Sequence, residues 1–259
     1  MVIENVGGFS VCCIHLSEVD STNSYLRREA AALFSRCPSC DVFVVTADVQ
    51  SAGRGQRGSV WQSAAGDNLL ASFLLRPSMV PVSRSYSLSV AAALALGNCM
   101  SHYGISTLLK WPNDLYSGNA KLAGILLETD CEGMCLSQAV LGMGLNVNQK
   151  VFGSMERNPV SMSLLCGRDF SVSEVCRRLV FEFLRLYRIF LAGDDDALFA
   201  EYEQALMGRH STMLYRDACG TFEAAVDGVC KDGRIRLLRC DGGVSYYSFK
   251  EVQMVNLGY

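Results

Sequence analysis

Several stretches of this 259-residue chain combine charge, glycine and amide side chains in ways that suit the handling of an anion. The first is Gly53-Arg54-Gly55-Gln56-Arg57-Gly58, which follows an apolar run. Glycines let a backbone come close to a ligand, and guanidinium groups grip phosphate or carboxylate oxygens in pairs. A solvated basic loop is the plain alternative, and the loop alone does not separate the two. It is not a dinucleotide fingerprint, because Trp61 and a second apolar run follow it where a helical pattern is required. The second stretch is Lys110-Trp111-Pro112-Asn113-Asp114. Pro112 sets a turn, and Asn113 and Asp114 are ordinary turn residues. An acid beside a phosphate-binding loop is also what Mg²⁺ requires. Lys121 then leads the apolar run 122–127. A lysine there is either an end charge or an ammonium set inside a pocket, facing a carboxylate or phosphoryl group. Last, Gly142 and Gly144 interrupt the apolar run 139–147, with Asn146 and Asn148 following. Glycine weakens a strand, so its presence there marks close approach of a ligand or of another backbone.

The elements that must position these residues can be outlined from periodicity. A short strand is expected over 11–16, then a helix from Asp20-Ser21-Thr22-Asn23 to about 34, capped by Asp20 or Ser21. Residues 41–50 read as a buried strand running into the basic loop 51–59, and 68–76 as the next strand. A buried helix follows over 86–103. Consecutive strands fill 108–148, with turns at 113–114, 117–119 and 130–133. Residues 153–168 have little periodicity. Ser171-Val172-Ser173-Glu174 resembles a capping box, and Val175, Leu179, Phe183, Leu186 and Phe190 recur at helical spacing over 173–191. A second helix spans 194–207. Beyond it come short strand-like runs at 211–215, 221–229, 234–239 and 244–249, with Asp-Gly turns between or within them, the pattern of a small β-barrel. The chain therefore reads as α+β, with a mixed-sheet domain over 1–207 and a β domain over 208–259.

Composition narrows the function classes. Half the residues are hydrophobic, 19% are charged and the net charge is −3, an ordinary globular balance with no general nucleic-acid or anionic-membrane surface. Between Arg84 and Lys110 there is no Asp, Glu, Lys or Arg. Serines, Asn98 and His102 interrupt that segment, and its unbroken apolar core is only 90–96, against the roughly 20 residues of a membrane span. The chain has 12 cysteines and three histidines in no metal-binding pattern. Only Cys37 and Cys40 have CxxC spacing, which without a second pair reads as an incidental loop feature rather than a zinc or redox site. Residues 1–10 carry no secretory or transit pattern. The expectation is a cytoplasmic protein with reduced, largely buried thiols.

Taken in order, Asp20-Ser21-Thr22-Asn23, Gln50-Ser51-Ala52-Gly53-Arg54-Gly55-Gln56-Arg57-Gly58 with Trp61, Lys110-Trp111-Pro112-Asn113-Asp114-Leu115-Tyr116, Lys121-Leu122-Ala123-Gly124-Ile125-Leu126 and Gly142-Met143-Gly144-Leu145-Asn146 closely resemble the biotin–protein ligase family. The resemblance covers about 11–207, with a family-like β appendix after it. It implies a catalytic domain of the biotin/lipoate ligase type followed by an SH3-like β-barrel. It implies activation of biotin by ATP and Mg²⁺ to biotinyl-5′-AMP, then transfer to a lysine of a biotin carboxyl carrier protein or domain of a carboxylase.

By the same resemblance, Ser21, Thr22, Asn23 and Gln50 would hydrogen-bond biotin's ring system, whose ureido group has one carbonyl and two N–H groups to satisfy. Gly142 and Gly144 would leave room for the rings. Arg54, with Gly55, Gln56 and Arg57 in its loop, would close over biotin's carboxylate and the ATP phosphates, and Trp61 would flank the adenine. Lys121 would bind the carboxylate and the α-phosphate. Asp114, with Asn113 and Asn146, would position Mg²⁺ and the nucleotide. Lys121, Arg54 and Asp114 are thus the expected catalytic residues. Gln56 departs from the family, most members of which have Arg there; Arg57 is the adjacent candidate to replace its charge. Some members carry an N-terminal winged helix-turn-helix. Here the catalytic strand begins by about residue 11, so no DNA binding is expected, nor any membrane partner. Dimers occur in the family, and the resemblance leaves monomer and homodimer both open. The nearest rivals are a lipoate–protein ligase or octanoyltransferase, and a non-catalytic biotin-binding protein of the same fold.

Overall fold

The computed structural model describes residues 1–153 and 158–255 and omits the side chain of Arg57. An eight-stranded mixed sheet dominates it. Its strands in chain order are β1 (Val2–Val6), β2 (Phe9–Val19), β3 (Val42–Gln50), β4 (Leu69–Leu75), β5 (Leu108–Lys110), β6 (Asp114–Ser117), β7 (Ala120–Glu132) and β8 (Cys135–Leu145). They lie side by side as β1-β2-β3-β4-β8-β7-β6-β5. Only β2 and β3 run parallel within this order. A parallel pair needs a crossover, and helix α1 (Thr22–Arg36) supplies it.

Both faces of the sheet are covered, which is why its central strands are apolar without alternation. On β3, Val42 and Val44 face one core, while Phe43 and Val45 face the other, where α1 packs with Leu26, Leu33 and Phe34. The first core is closed by α2 (Ser85–His102) and α4 (Val172–Ala192), with the short α3 (Met162–Cys166) and α5 (Asp195–Gln204) around them. α2 is buried through residues 87–96, so the charge-free segment is a core helix. Among the described residues no helix is long and apolar enough to cross a membrane. The expected apolar stripe of α4 is buried at each named position, and Ser171 caps it by accepting from Glu174 N–H.

The C-terminal region forms an antiparallel sheet of β9 (Met213–Asp217), β10 (Gly220–Val229), β11 (Ile235–Arg239), β12 (Val244–Tyr247) and β13 (Gln253–Met254), in the order β12-β11-β10-β9-β13. Its end strands β12 and β13 do not pair with each other among the described residues, so the expected barrel is not closed by a continuous hydrogen-bond ladder. Tyr215, Val226 and Leu237 join the same core as α2 and α4. Polar links fix the junction. The Trp111 indole N–H donates to the Gly233 carbonyl at 2.9 Å, and Glu203 accepts from Val229 N–H at 3.0 Å.

Sequence patterning missed two strands. β1 does not alternate and is exposed at Val2–Asn5, and β13 has two residues, so both are held chiefly by backbone pairing.

Candidate active site

The parallel pair delivers the C-terminal ends of β2 and β3 to one edge of the sheet, where α1 begins. Ser21 is the N-cap of α1, but contrary to expectation its hydroxyl makes no capping bond. Asp20 does not cap the helix in its place. Its Oδ1 accepts from Ser21 N–H at 2.8 Å, and the Arg28 guanidinium holds its carboxyl below the usual carboxylate range. The orphan N–H of Thr22 is instead taken by Gln50 Oε1 at 2.8 Å, which also accepts from the Thr22 hydroxyl at 3.0 Å. Ser72 Oγ lies 2.7 Å from Thr22 Oγ1 and 2.6 Å from Asn23 Oδ1, so its single proton faces two acceptors. Asn23 Nδ2 donates to Glu128 Oε2 at 3.0 Å. Thr22, Asn23, Gln50 and Ser72 thereby form one connected polar network, bridged by Glu128 to the glycine-rich loop.

That loop is a tight turn of chain. Trp61 N–H returns to the Gly53 carbonyl at 3.1 Å, and Gly55 N–H to the Ser59 carbonyl at 2.7 Å. A Cβ at Gly53 would lie 2.3 Å from the Trp61 carbonyl oxygen, so glycine is required there by the loop's own backbone. Arg54 leaves the loop to form a two-point ion pair with Glu128, at 2.9 and 3.2 Å. Gln56 accepts through its carbonyl from the Ser59 hydroxyl at 2.8 Å. The expected role of the Arg57 side chain falls outside the described residues.

The other half of the site is charged. Lys121 Nζ lies 2.8 Å from Asp114 Oδ1 and 5.7 Å from the centre of a Trp61 ring. Apart from that ammonium, Asp114 Oδ1 is buried with no hydrogen-bond donor aimed at it. Asn146 Oδ1 and Trp61 Nε1 are likewise buried without a hydrogen-bond partner among the described residues. Asn146 Nδ2 and Asn113 Nδ2 are already engaged with backbone carbonyls, those of Val160 and Ile125. The glycines of β8 serve neighbours already present. A Cβ at Gly142 would sit 2.4 Å from Asn23 Oδ1, and one at Gly144 would sit 2.5 Å from the Trp61 ring. The space expected to receive a ligand's rings at Gly144 is occupied by Trp61.

One cavity of about 760 Å³ joins the two halves. Its walls include Ser21, Thr22, Asn23, Gln50, Arg54, Gly55, Gln56, Trp61, Asn113, Asp114, Lys121, Gly142, Gly144 and Asn146, so each expected site residue with a described side chain is brought together there. Three further contributors escaped sequence reasoning. Ser72 was detectable as a hydroxyl inside the otherwise apolar run Leu69–Leu75. Glu128 is an acid closing an apolar run and gave only the look of an end charge. Tyr215 belongs to the C-terminal sheet; its hydroxyl is buried and unpartnered, and burial raises its pKa. Phe249 and Lys250 also reach the cavity from that sheet.

Comparison with known proteins agrees with this arrangement. The sequence pattern of the Biotin/lipoate A/B protein ligase family matches residues 20–146, which hold every expected site residue. The bifunctional ligase/repressor BirA of Bacillus subtilis is 29% identical over 209 residues, covering 79% of this chain and 64% of its own length. The biotin–[acetyl-CoA-carboxylase] ligase of Mycobacterium tuberculosis is 36% identical over 154 residues, covering 58% of this chain and 53% of its own. The chain thus spans less than two thirds of these relatives. Among solved structures, biotin protein ligase from Aquifex aeolicus in complex with biotin and ATP superposes with a TM-score of 0.74 at 22% identity, covering 94% of this chain and 99% of that one. The biotin protein ligase of Leishmania major in complex with biotin superposes with a TM-score of 0.61 at 18% identity, over 92% and 98%. Motif order, fold and the residues gathered around the cavity lead to one assignment: residues 20–146 carry a domain of the biotin/lipoate A/B protein ligase type.

Proposed function

We propose that this protein activates biotin with ATP as biotinyl-5′-AMP and transfers the biotinyl group to a lysine of a biotin carboxyl carrier protein or domain. The observation that carries this reading is the division of a single cavity into a neutral, hydrogen-bonding half and a charged half. Biotin has that polarity: a ureido ring system at one end and a carboxylate at the other. Thr22, Asn23 and Gln50, which line the cavity and are braced from behind by Ser72, supply fixed donors and acceptors for the ring, and Ser21, its hydroxyl not used in capping, is a further one. The Aquifex neighbour, in complex with biotin and ATP, supports the choice of ligands.

In the first step biotin's carboxylate oxygen attacks the α-phosphorus of ATP and pyrophosphate leaves. Two anions must meet, so the protein's task is charge neutralisation and alignment. Lys121 is suited to that task by its place beside Trp61 and Asp114. Arg54 is held by Glu128, and engages the carboxylate or phosphates by exchanging part of that pair. Asn146 Oδ1, buried with no hydrogen-bond donor aimed at it, and the Asp114 carboxylate, once Lys121 turns to the phosphates, would fit a hard cation such as Mg²⁺ carried in with the nucleotide phosphates. Such an ion supplies further neutralisation of the phosphate charge. In the second step an acceptor lysine attacks the mixed anhydride and AMP leaves. We read residues 1–207 as the catalytic unit, with the 208–259 unit completing the wall of its cavity through Tyr215 and Phe249. The unpaired state of all 12 cysteines supports a reducing, cytoplasmic setting.

The test is ATP–pyrophosphate exchange by the purified chain with Mg²⁺, with biotin, lipoate or octanoate added in turn. Exchange with biotin alone is expected. Exchange with lipoate or octanoate but not biotin would move the chain to the lipoate side of its family. No exchange from protein that binds biotin would make it a non-catalytic binder.

A further inference from the structure

The thiols of this chain are not evenly spread. The Sγ atoms of Cys12, Cys37 and Cys40 all lie within 4.8 Å of one another. Among the described residues no other set of three or more His, Cys, Asp or Glu side chains is close enough to share a cation. Spacing in the sequence connects Cys37 to Cys40, but the third sulfur comes from β2 and becomes visible only in the fold. Cys12 faces α1 from the sheet, Cys37 closes the C-terminus of α1, and the turn Pro38-Ser39 brings Cys40 back beside them.

The ordinary reading is that cysteine here is a small apolar residue in the core beneath α1, beside Leu33, Phe34 and Phe43. Two further observations favour a cation. The cluster lies just beneath the surface, because Pro38 and Ser39, between Cys37 and Cys40, are exposed. Its sulfurs have outside support, since the Ser10 hydroxyl lies 3.9 Å from Cys40 Sγ and can donate to it. A dithiol switch fits less well. Reactive CxxC cysteines sit at helix N-termini, where the thiolate is stabilised, whereas Cys37 ends a helix. Burial and the neighbouring thiols moreover push Cys12 up to about 11.

We propose that Cys12, Cys37 and Cys40 form a three-thiolate site for a thiophilic divalent cation of the zinc–cadmium class. On binding, three thiols release three protons to solvent and three sulfur–metal bonds form, leaving one net negative charge. A water entering beneath the exposed turn is available as fourth ligand. The ion would tie the end of α1 to β2, at the opposite end of the helix from Ser21, Thr22 and Asn23.

The test is titration of the reduced, metal-free full chain with Cd²⁺. One equivalent bound, with a sulfur-to-cadmium charge-transfer band, is expected, and Cys12→Ser should abolish the tight equivalent while Cys131→Ser, at an exposed position, leaves it. In case Cys12→Ser fails to fold, alkylation of the wild-type chain gives a second readout, with Cd²⁺ protecting Cys12, Cys37 and Cys40 selectively. Absence of the band at one equivalent, an unchanged equivalent in folded Cys12→Ser, or protection confined to other cysteines would each overturn the proposal. None of these readouts depends on ligase activity.

Discussion

The two halves of the cavity satisfy their polar groups in opposite ways. Beside α1, Thr22, Asn23, Gln50 and Ser72 are bonded to one another, and Glu128 extends the network to Arg54. Beside β6 and β8, Trp61 Nε1 and Asn146 Oδ1 are buried with no hydrogen-bond partner among the described residues, and Asp114 Oδ1 meets only the Lys121 ammonium. An unsatisfied buried polar group costs about 1–3 kcal/mol. A protein keeps several such groups together where a ligand will complete them. The first half is therefore built to hold its shape when empty, and the second to be finished by what binds. On the proposed function, recognition and chemistry share one cavity but on differently prepared surfaces.

The comparison breaks most sharply at Lys121, the ammonium of the incomplete half. Lys121→Ala is expected to reduce biotin-dependent pyrophosphate exchange by about 10²–10³-fold, the scale of losing one preorganised charge-stabilising donor, with an unchanged circular dichroism spectrum. A folded variant that makes the adenylate at the normal rate removes Lys121 from the chemistry. The two glycines of β8 sharpen the contrast with a matched pair. Gly142→Ala would drive a methyl into Asn23, and Gly144→Ala would drive one into the Trp61 ring. Calorimetry should then find biotin affinity lowered about tenfold or more in the first variant. In the second, the larger loss is expected for the nucleotide. Equal losses of both ligands in both variants would mean that the halves are not separable. The smallest effect is expected at Asp20. Arg28 holds its carboxyl low, so its contribution is present above the unfolded value of about 3.9 and is lost as pH falls through the lower folded value. The pair is exposed, so Asp20→Asn should cost only roughly 0.2–1 kcal/mol at pH 7 and should flatten the acid side of the stability curve. A stability–pH curve identical to wild type would remove the ion pair from the account.

What could be read in the sequence was whatever is local. The strand-to-helix step at residues 20–23, the glycine-rich loop and Lys121 are each contiguous or nearly so, and all were found. The partners that organise them are distant in sequence: Glu128 for Arg54, Ser72 for Asn23, Trp61 for Gly144. No spacing rule reaches across 74 residues from Arg54 to Glu128, because their meeting depends on how β7 lies in the sheet. For the same reason Gly144 was read as room for a ligand, when its nearest neighbour is a side chain of the chain itself. Cys37 and Cys40 looked incidental because their third companion enters from another strand.

The cavity wall is shared between two sheets, and this bears on how the protein can diverge. Tyr215 and Phe249 reach the cavity from β9 and the last turn of the C-terminal sheet, whereas the bonds of the Thr22–Asn23–Gln50–Ser72 network join α1, β3 and β4 to one another. Substitutions there can reshape one wall of the cleft and leave that network's bonds as they are. A lineage can thus retune what approaches the cleft while inheriting, unaltered, the part proposed to read the small molecule.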